Sequence, residues 1–203
     1  MDEKKFKEKW NELLFGVRSS IRYHTHRRKF FDWLSVCSDF LIIISGGTVV
    51  GFASAGESGH HVWTIVFGAL IAVIGSFDLV VGFSSKGRDH NDLAREFSSL
   101  ERQMIAVSHQ RTEEKLIAFT NQRLEIEENE PPLLLVLNCH CHNELIRALG
   151  FPGNHKVKIT FWQSVFKQWF DWFPSSLNKM CDMNESQINV SSPVVPKLSS
   201  HGS

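Results

Sequence analysis

Two stretches, residues 34–55 and 62–83, constrain this chain more than anything else in its 203 residues. Each is 22 residues long and almost wholly apolar, and together they hold only two charged groups, Asp39 and Asp78. The other 159 residues hold 42 of the 44 charged side chains. At a helical rise of about 1.5 Å per residue, either stretch can cross a hydrocarbon layer about 30 Å thick. Only Gly56-Glu57-Ser58-Gly59-His60-His61 separates them, a connection short and glycine-rich enough to make the pair an antiparallel helical hairpin. Per span, about ten strongly apolar residues at roughly −0.5 kcal/mol each outweigh one off-centre aspartate costing at most about 3 kcal/mol.

Two other readings compete. A hairpin buried in a soluble core needs cover on every side, which a chain this small rarely supplies. A cleaved leader is suggested by Ala53-Ser54-Ala55, but 33 residues carrying 14 charges precede the apolar run. The membrane hairpin is the expectation, and charge gives its orientation. Within about 20 residues of the hairpin base the chain carries Arg18, Arg22, Arg27, Arg28 and Lys29 before it, and Lys86, Arg88, Arg95 and Arg102 after it. The connecting loop carries no basic residue. Both termini are therefore expected in the cytoplasm, with Arg27, Arg28, Lys29, Lys86 and Arg88 as a basic collar.

Composition removes several classes of function. Lys and Arg total 22, as do Asp and Glu, with no basic block, which argues against a nucleic-acid partner. Four cysteines, Cys37, Cys139, Cys141 and Cys181, are too few and too oddly placed for a disulfide framework. No phosphate-loop, nucleophile-elbow or zinc-protease motif occurs, so no catalytic residue, enzyme activity or cofactor is expected.

A carboxylate inside a membrane is a functional-site candidate by default. Asp39 and Asp78 are equidistant from the loop midpoint, so in an antiparallel hairpin they lie at matching depth, roughly 7–9 Å inside the cytoplasmic boundary. They could share a proton, form an acidic ring in an oligomer, or pair with Arg28, Lys29 or Lys86 and fix the hairpin's register. Small residues recur at helical spacing: Gly47, Gly51 and Ala55 in the first span, and Gly68, Ala72 and Ser76 in the second. Gly68, Gly75 and Gly82 also repeat every seven residues. Such faces let backbones approach closely, and two of them exceed what one hairpin needs. One could close the hairpin while the other joins copies of the chain.

Outside the spans, Phe6, Trp10, Leu13, Leu14, Val17 and Ile21 form one helical stripe, and Leu93, Phe97, Leu100, Met104 and Val107 form a coiled-coil-like seam. These predict an all-α chain whose membrane helices continue into the cytoplasm as an antiparallel pair, bringing Arg28 level with Asp89. The expected layout is a cytoplasmic helix over 1–33, spans 34–55 and 62–83 around an external loop 56–61, and a long helix over 84–130. Short helices over 131–173 and a disordered tail over 174–203 complete it. Cys139-His140-Cys141-His142 invites a metal reading, but neighbouring helical residues point about 100° apart and cannot close one tetrahedron. Only Cys139 and His142 share a face, so buried small residues with surface histidines are expected. His24 and His26 are expected as interfacial polar groups. The aromatic run Phe161, Trp162, Val165, Phe166, Trp169, Phe170 and Phe173, with Lys156, Lys158 and Lys167, is expected either to lie in the membrane interface or to pack on the helix pair.

The order Arg22-Tyr23-His24, Arg27-Arg28, apolar hairpin, Phe77-Asp78-Leu79-Val80, Gly82-Phe83-Ser84, Lys86, Arg88, His90, Leu93, Arg95 and Phe97 resembles the SMODS- and SLOG-associating two-transmembrane effector (SLATT) family. Cys141-His142-Asn143-Glu144-Leu145, then Arg147-Ala148-Leu149-Gly150, is similar to stand-alone relatives of that type, and the likeness covers roughly residues 18–173. The resemblance implies a bacterial inner-membrane effector of conflict or phage-defence systems. It would assemble into a pore, or otherwise perturb the membrane, when a separate nucleotide-sensing partner protein signals. Asp78 and the basic residues after it match the family motif without an assigned role. The alternative is a non-conducting membrane scaffold whose long helices recruit a cytoplasmic partner.

Overall fold

A computed structural model describes residues 2–54, 61–150, 157 and 159–168. Among the described residues every regular element is helical: α1 (Glu3–Ser54), α2 (His61–Val81), α3 (Phe83–Ala106), α4 (Glu113–Glu128), α5 (Leu135–Ala148) and α6 (Phe161–Phe166). The chain is all-α. It divides into two compact units, His26–Asn91, and Met1–Thr25 with Asp92–Ser203. Because α1 is one continuous helix, it contributes to both.

In the unit built from the chain ends, three amphipathic helices share a core. Trp10, Leu13, Leu14 and Val17 of α1 meet Leu93, Phe97, Leu100 and Met104 of α3, with Leu116, Phe119 and Ile126 of α4 closing the third side. The α1 stripe and the α3 seam thus bury what their periodicity marked as apolar. Trp10 packs edge-on against Phe119 at 5.9 Å, and the Arg111 guanidinium lies 5.2 Å over the Trp10 ring. Burial lowers the Arg111 pKa from its ordinary value.

The expected single helix over 84–130 is two helices. α3 stops at Ala106, residues 107–112 turn, and Thr112 restarts α4 as an N-cap whose hydroxyl accepts from the Lys115 N–H at 3.3 Å. Glu113 and Glu114 follow in the first turn, where the helix dipole favours negative charge. The break lets α4 return its apolar residues to the core that α1 and α3 began.

After α4, Glu130 to Leu134 is fixed to α1 by two polar contacts. The buried His24 Nε2 lies 2.9 Å from Glu130 Oε1, and the Tyr23 hydroxyl accepts from the Leu134 N–H at 2.9 Å. His24 stacks on Phe97 at 5.7 Å and meets Tyr23 edge-on at 5.3 Å. His24 is a core histidine rather than the interfacial one that its neighbourhood in sequence predicted. α5 buries Val136, Leu137, Cys139, Cys141, His142, Leu145 and Ile146. Asn143 on its flank bonds both backbone groups of Val157, at 2.7 and 2.8 Å.

The other unit, His26–Asn91, holds the apolar part of α1, then α2 and the first residues of α3, in a hairpin-like arrangement. Gly82 joins α2 to α3 in the left-handed region, φ +64°, while the N–H of Gly82 still bonds to Asp78 and its carbonyl still accepts from Lys86. Only glycine holds that conformation without a Cβ penalty. Gly82 is therefore a joint in the backbone between α2 and α3.

Candidate functional site in the apolar hairpin

The apolar stretches do not form a core. Of the most apolar part of α1 only 6% is buried within the chain, and of α2 none. Ile43 is 71% exposed and Leu79 and Val80 are each 84% exposed. Both helices are long and apolar enough to cross a membrane. Such exposure removes the reading of a soluble hairpin buried on all sides. Trp33 near the base and Trp63 at the far end are also exposed, at the two levels where membrane interfaces favour tryptophan.

The candidate residues divide between two faces. On α2, Thr64, Phe67, Gly68, Ile71, Ile74, Gly75, Asp78 and Val81 are half-buried and recur at steps of three and four, marking the face turned inward. On α1 the inward positions include Ser38 and Ser45, both buried, and the Thr48 hydroxyl donates to the Ser45 carbonyl at 2.7 Å. Outward lie Asp39 and Gly47 and Gly51 on α1, and Ala72 and Ser76 on α2. Ala55 falls outside the described residues. A Cβ added at Gly47, Gly51, Gly68 or Gly75 would meet nothing within 4 Å. Serines and medium apolar side chains, rather than the glycines, line the inward face most closely.

Asp78 thus sits on the inward face and Asp39 on the outward one. Among the described residues neither forms an ion pair, so pairing with Arg28, Lys29 or Lys86 is not what positions them. Arg28 instead donates to Asp32 at 3.3 Å and to Asn91 at 2.8 Å.

The base of this unit is organised by Phe31, which is buried. The Arg27 guanidinium lies 4.6 Å over its ring, the Lys86 ammonium 6.0 Å, and the His90 imidazole stacks on it at 5.6 Å. A cation over an aromatic face gains about 0.5–2 kcal/mol, whereas an exposed pair such as Arg28–Asp32 gains about 0–1 kcal/mol. The aromatic ring, then, holds the collar more than its salt bridge does. Gly87 lets α3 pass close by: a Cβ there would lie 2.8 Å from Asp32 Oδ1 and 3.6 Å from Phe31 Cβ. Lys29 and Arg88 stay exposed, Arg88 donating to the Ser84 hydroxyl at 2.9 Å. Periodicity and charge located these residues, but Phe31 was missed. Its signal was an aromatic between Arg27-Arg28-Lys29 and Trp33.

Cys139 and His142, which share a face of α5, are both buried. Cys139 is disulfide-bonded and so presents no thiolate. His142 is buried edge-on to Phe15 at 5.2 Å, so it is not a surface histidine. His140 Nε2 lies 2.9 Å from the Lys167 ammonium and 3.3 Å from Glu144 Oε1. Burial lowers the Lys167 pKa, with Glu144 and then Cys141 acting in the opposite direction. Cys141 is a buried thiol pushed up to about 12, by burial first and the Glu144 charge second. Phe161 and Trp162 of α6 are exposed and edge-on to each other at 5.8 Å. Lys156, Lys158, Trp169, Phe170 and Phe173 lie outside the described residues, as does the tail. Compared with known proteins, the chain matches no family model, no curated protein and no solved structure.

Proposed function

We propose that this chain is a two-span bacterial inner-membrane protein that assembles from several copies and perforates or perturbs the membrane as an effector. Its resemblance to the two-transmembrane SLATT effectors suggests the setting, a conflict or phage-defence system with a separate nucleotide-sensing protein as trigger. One observation carries the assembly reading: Asp39 and the small residues Gly47 and Gly51 lie on the outward face of α1. A carboxylate turned toward lipid costs up to about 3 kcal/mol, and a glycine face in lipid forfeits packing. A neighbouring copy or a water-filled lumen relieves both. With Asp78 half-buried on the inward face of α2, the two carboxylates would favour cations at a mouth.

Liposome reconstitution tests this directly. Wild-type protein should pass cations, and Asp39→Asn with Asp78→Asn should reduce the flux or its cation preference at unchanged insertion. A preparation that stays monomeric in several detergents and bilayers, and conducts nothing, removes the pore; partner capture by such a preparation would favour the scaffold. Orientation has its own check. The basic collar supports cytoplasmic termini, while the Cys139 disulfide is the kind of bond that persists in oxidising compartments. A C-terminal reporter that fluoresces only in the cytoplasm should light up. A dark reporter overturns that orientation.

A further inference from the structure

In the unit formed by the chain ends, a cleft of about 360 Å³ opens between α1, α3 and α5. Its polar edge holds Arg18 and Arg22, one helical turn apart on α1, and Glu101 on α3. Its walls are apolar: Ile21, Leu145 and Leu149. Arg18 is already engaged, its Nε donating to Glu101 Oε1 at 2.6 Å. Among the described lining residues that leaves one carboxylate, Glu101, for two guanidinium groups. Among the described residues Arg22 makes no hydrogen bond and no ion pair, although it is half-buried. Like charges at this spacing repel, so the surplus positive charge carries a cost. The nearby Cys141 feels the Arg22 charge, but its thiol is pushed up to about 12 by burial and stays neutral. It offers Arg22 no counter-charge.

The contrast with a second cleft, about 400 Å³ between α1 and α4, is instructive. There Arg123 is committed to Glu127 at 2.6 Å, and Glu12 accompanies Lys9 in the same lining. Among the described lining residues each cation of that cleft has an acidic counterpart, whereas Arg22 in its own cleft has none. A guanidinium presents its N–H groups as a planar fork that matches carboxylate and phosphate oxygens, and a volume near the lower end of ligand pockets suits a compact molecule. We propose that the Arg22 cleft binds a small organic anion, a phosphate or carboxylate head on a short apolar body. Arg22 takes the head, and Ile21, Leu145 and Leu149 take the body. Because α1, α3 and α5 all border the cleft, occupancy would tie three helices of this unit together.

Full-length protein in nanodiscs of neutral phosphatidylcholine, titrated calorimetrically with butyl phosphate, tests the site. Saturable one-to-one binding is expected, weaker for inorganic phosphate and absent for butanol. Arg22→Gln removes a charge-assisted contact and should weaken butyl phosphate about ten- to a hundredfold. Ala148→Phe, at the exposed rim, should block the cleft without altering any charge. It decides the matter if Arg22→Gln fails to fold. Repeating the titration in discs containing phosphatidylglycerol separates two sources of one chemistry. Competition identifies a lipid headgroup, its absence a free anion, and either result supports the site. No saturable binding to the wild type, or unchanged binding in Ala148→Phe, overturns the proposal.

Discussion

Replacing Gly47 and Gly51 together by leucine separates what the hairpin needs from what an assembly needs. Within one chain, both residues are exposed and a Cβ at either would meet no atom within 4 Å. A leucine Cβ therefore meets open space at either site, and exchanging a helix glycine for a good helix former gains roughly 0.8–1 kcal/mol per site. The single hairpin should become more stable, by about 2 kcal/mol for the pair. An interface between copies built on this face responds in the opposite direction. Leucines where backbones approach closely overpack the contact, at about 1–3 kcal/mol per interface, or roughly five- to 150-fold in association. Thermal unfolding followed by circular dichroism reads the first effect, and subunit counting by photobleaching across protein-to-lipid ratios reads the second. Gly82→Ala provides the control. A Cβ there meets only Ser85 Cβ, at 3.7 Å, yet φ is +64°, and the left-handed backbone should cost about 1–2 kcal/mol. One kind of substitution thus changes sign with its site. Assembly of the double leucine variant at wild-type ratios would refute the outward interface, and a destabilised hairpin would refute the open geometry.

Tyr23→Phe should destabilise the chain-end unit by about 1–3 kcal/mol in urea unfolding, because it leaves the Leu134 N–H without its 2.9 Å partner in a buried setting. A loss below about 0.5 kcal/mol would mean that water replaces the hydroxyl there. Cys141 predicts an alkaline dependence. Burial pushes its thiol up to about 12 in the folded chain from an ordinary 9.0, so on raising pH the unfolded chain loses the proton first. Stability present below pH 9.0 should fall by about 1.4 kcal/mol per unit as pH rises toward 12. The difference between wild type and Cys141→Ala isolates this slope from other alkaline titrations, and parallel curves would refute it. In native protein at pH 8, Cys141 should also resist alkylation that proceeds readily in denaturant.

Local periodicity carried much of the fold. The stripe from Phe6 to Ile21 and the seam from Leu93 to Met104 are core for the reason their spacing implies: each puts its apolar side chains on one face. The break after Ala106 was legible in kind, since Thr112 followed by Glu113 and Glu114 is a helix start. A chain of acceptable helix formers on either side concealed it. Other features lie beyond any local pattern. His24 is buried because Glu130, 106 positions away, meets it. Gly82 obeys a seven-residue repeat, but its role comes from a dihedral that spacing does not encode. The basic collar was visible as charge, whereas its anchoring on Phe31 required knowing which faces of α1 and α3 meet.

The hairpin's burial pattern explains why its residues point as they do. Ser38 and Ser45 are 9% and 3% exposed, while Ile43, Ile65, Leu79 and Val80 are 70% or more exposed. In water this arrangement is unfavourable twice over. Leaving a large aliphatic side chain exposed forgoes about 1.5–3 kcal/mol, and burying a hydroxyl gains nothing unless it is bonded. Against hydrocarbon the signs reverse: aliphatic side chains lose nothing by facing outward, and small hydroxyl residues at a helix contact permit close approach. The same reversal gives Asp39 its meaning. In water an exposed aspartate is ordinary, whereas on the outer face of a helix long and apolar enough to cross a membrane it is a charge among apolar neighbours. The leucine variants and the Asp39→Asn flux measurement address the same question from two sides. Gly47 and Gly51 report whether another copy covers this face, and Asp39 reports whether the covered space conducts.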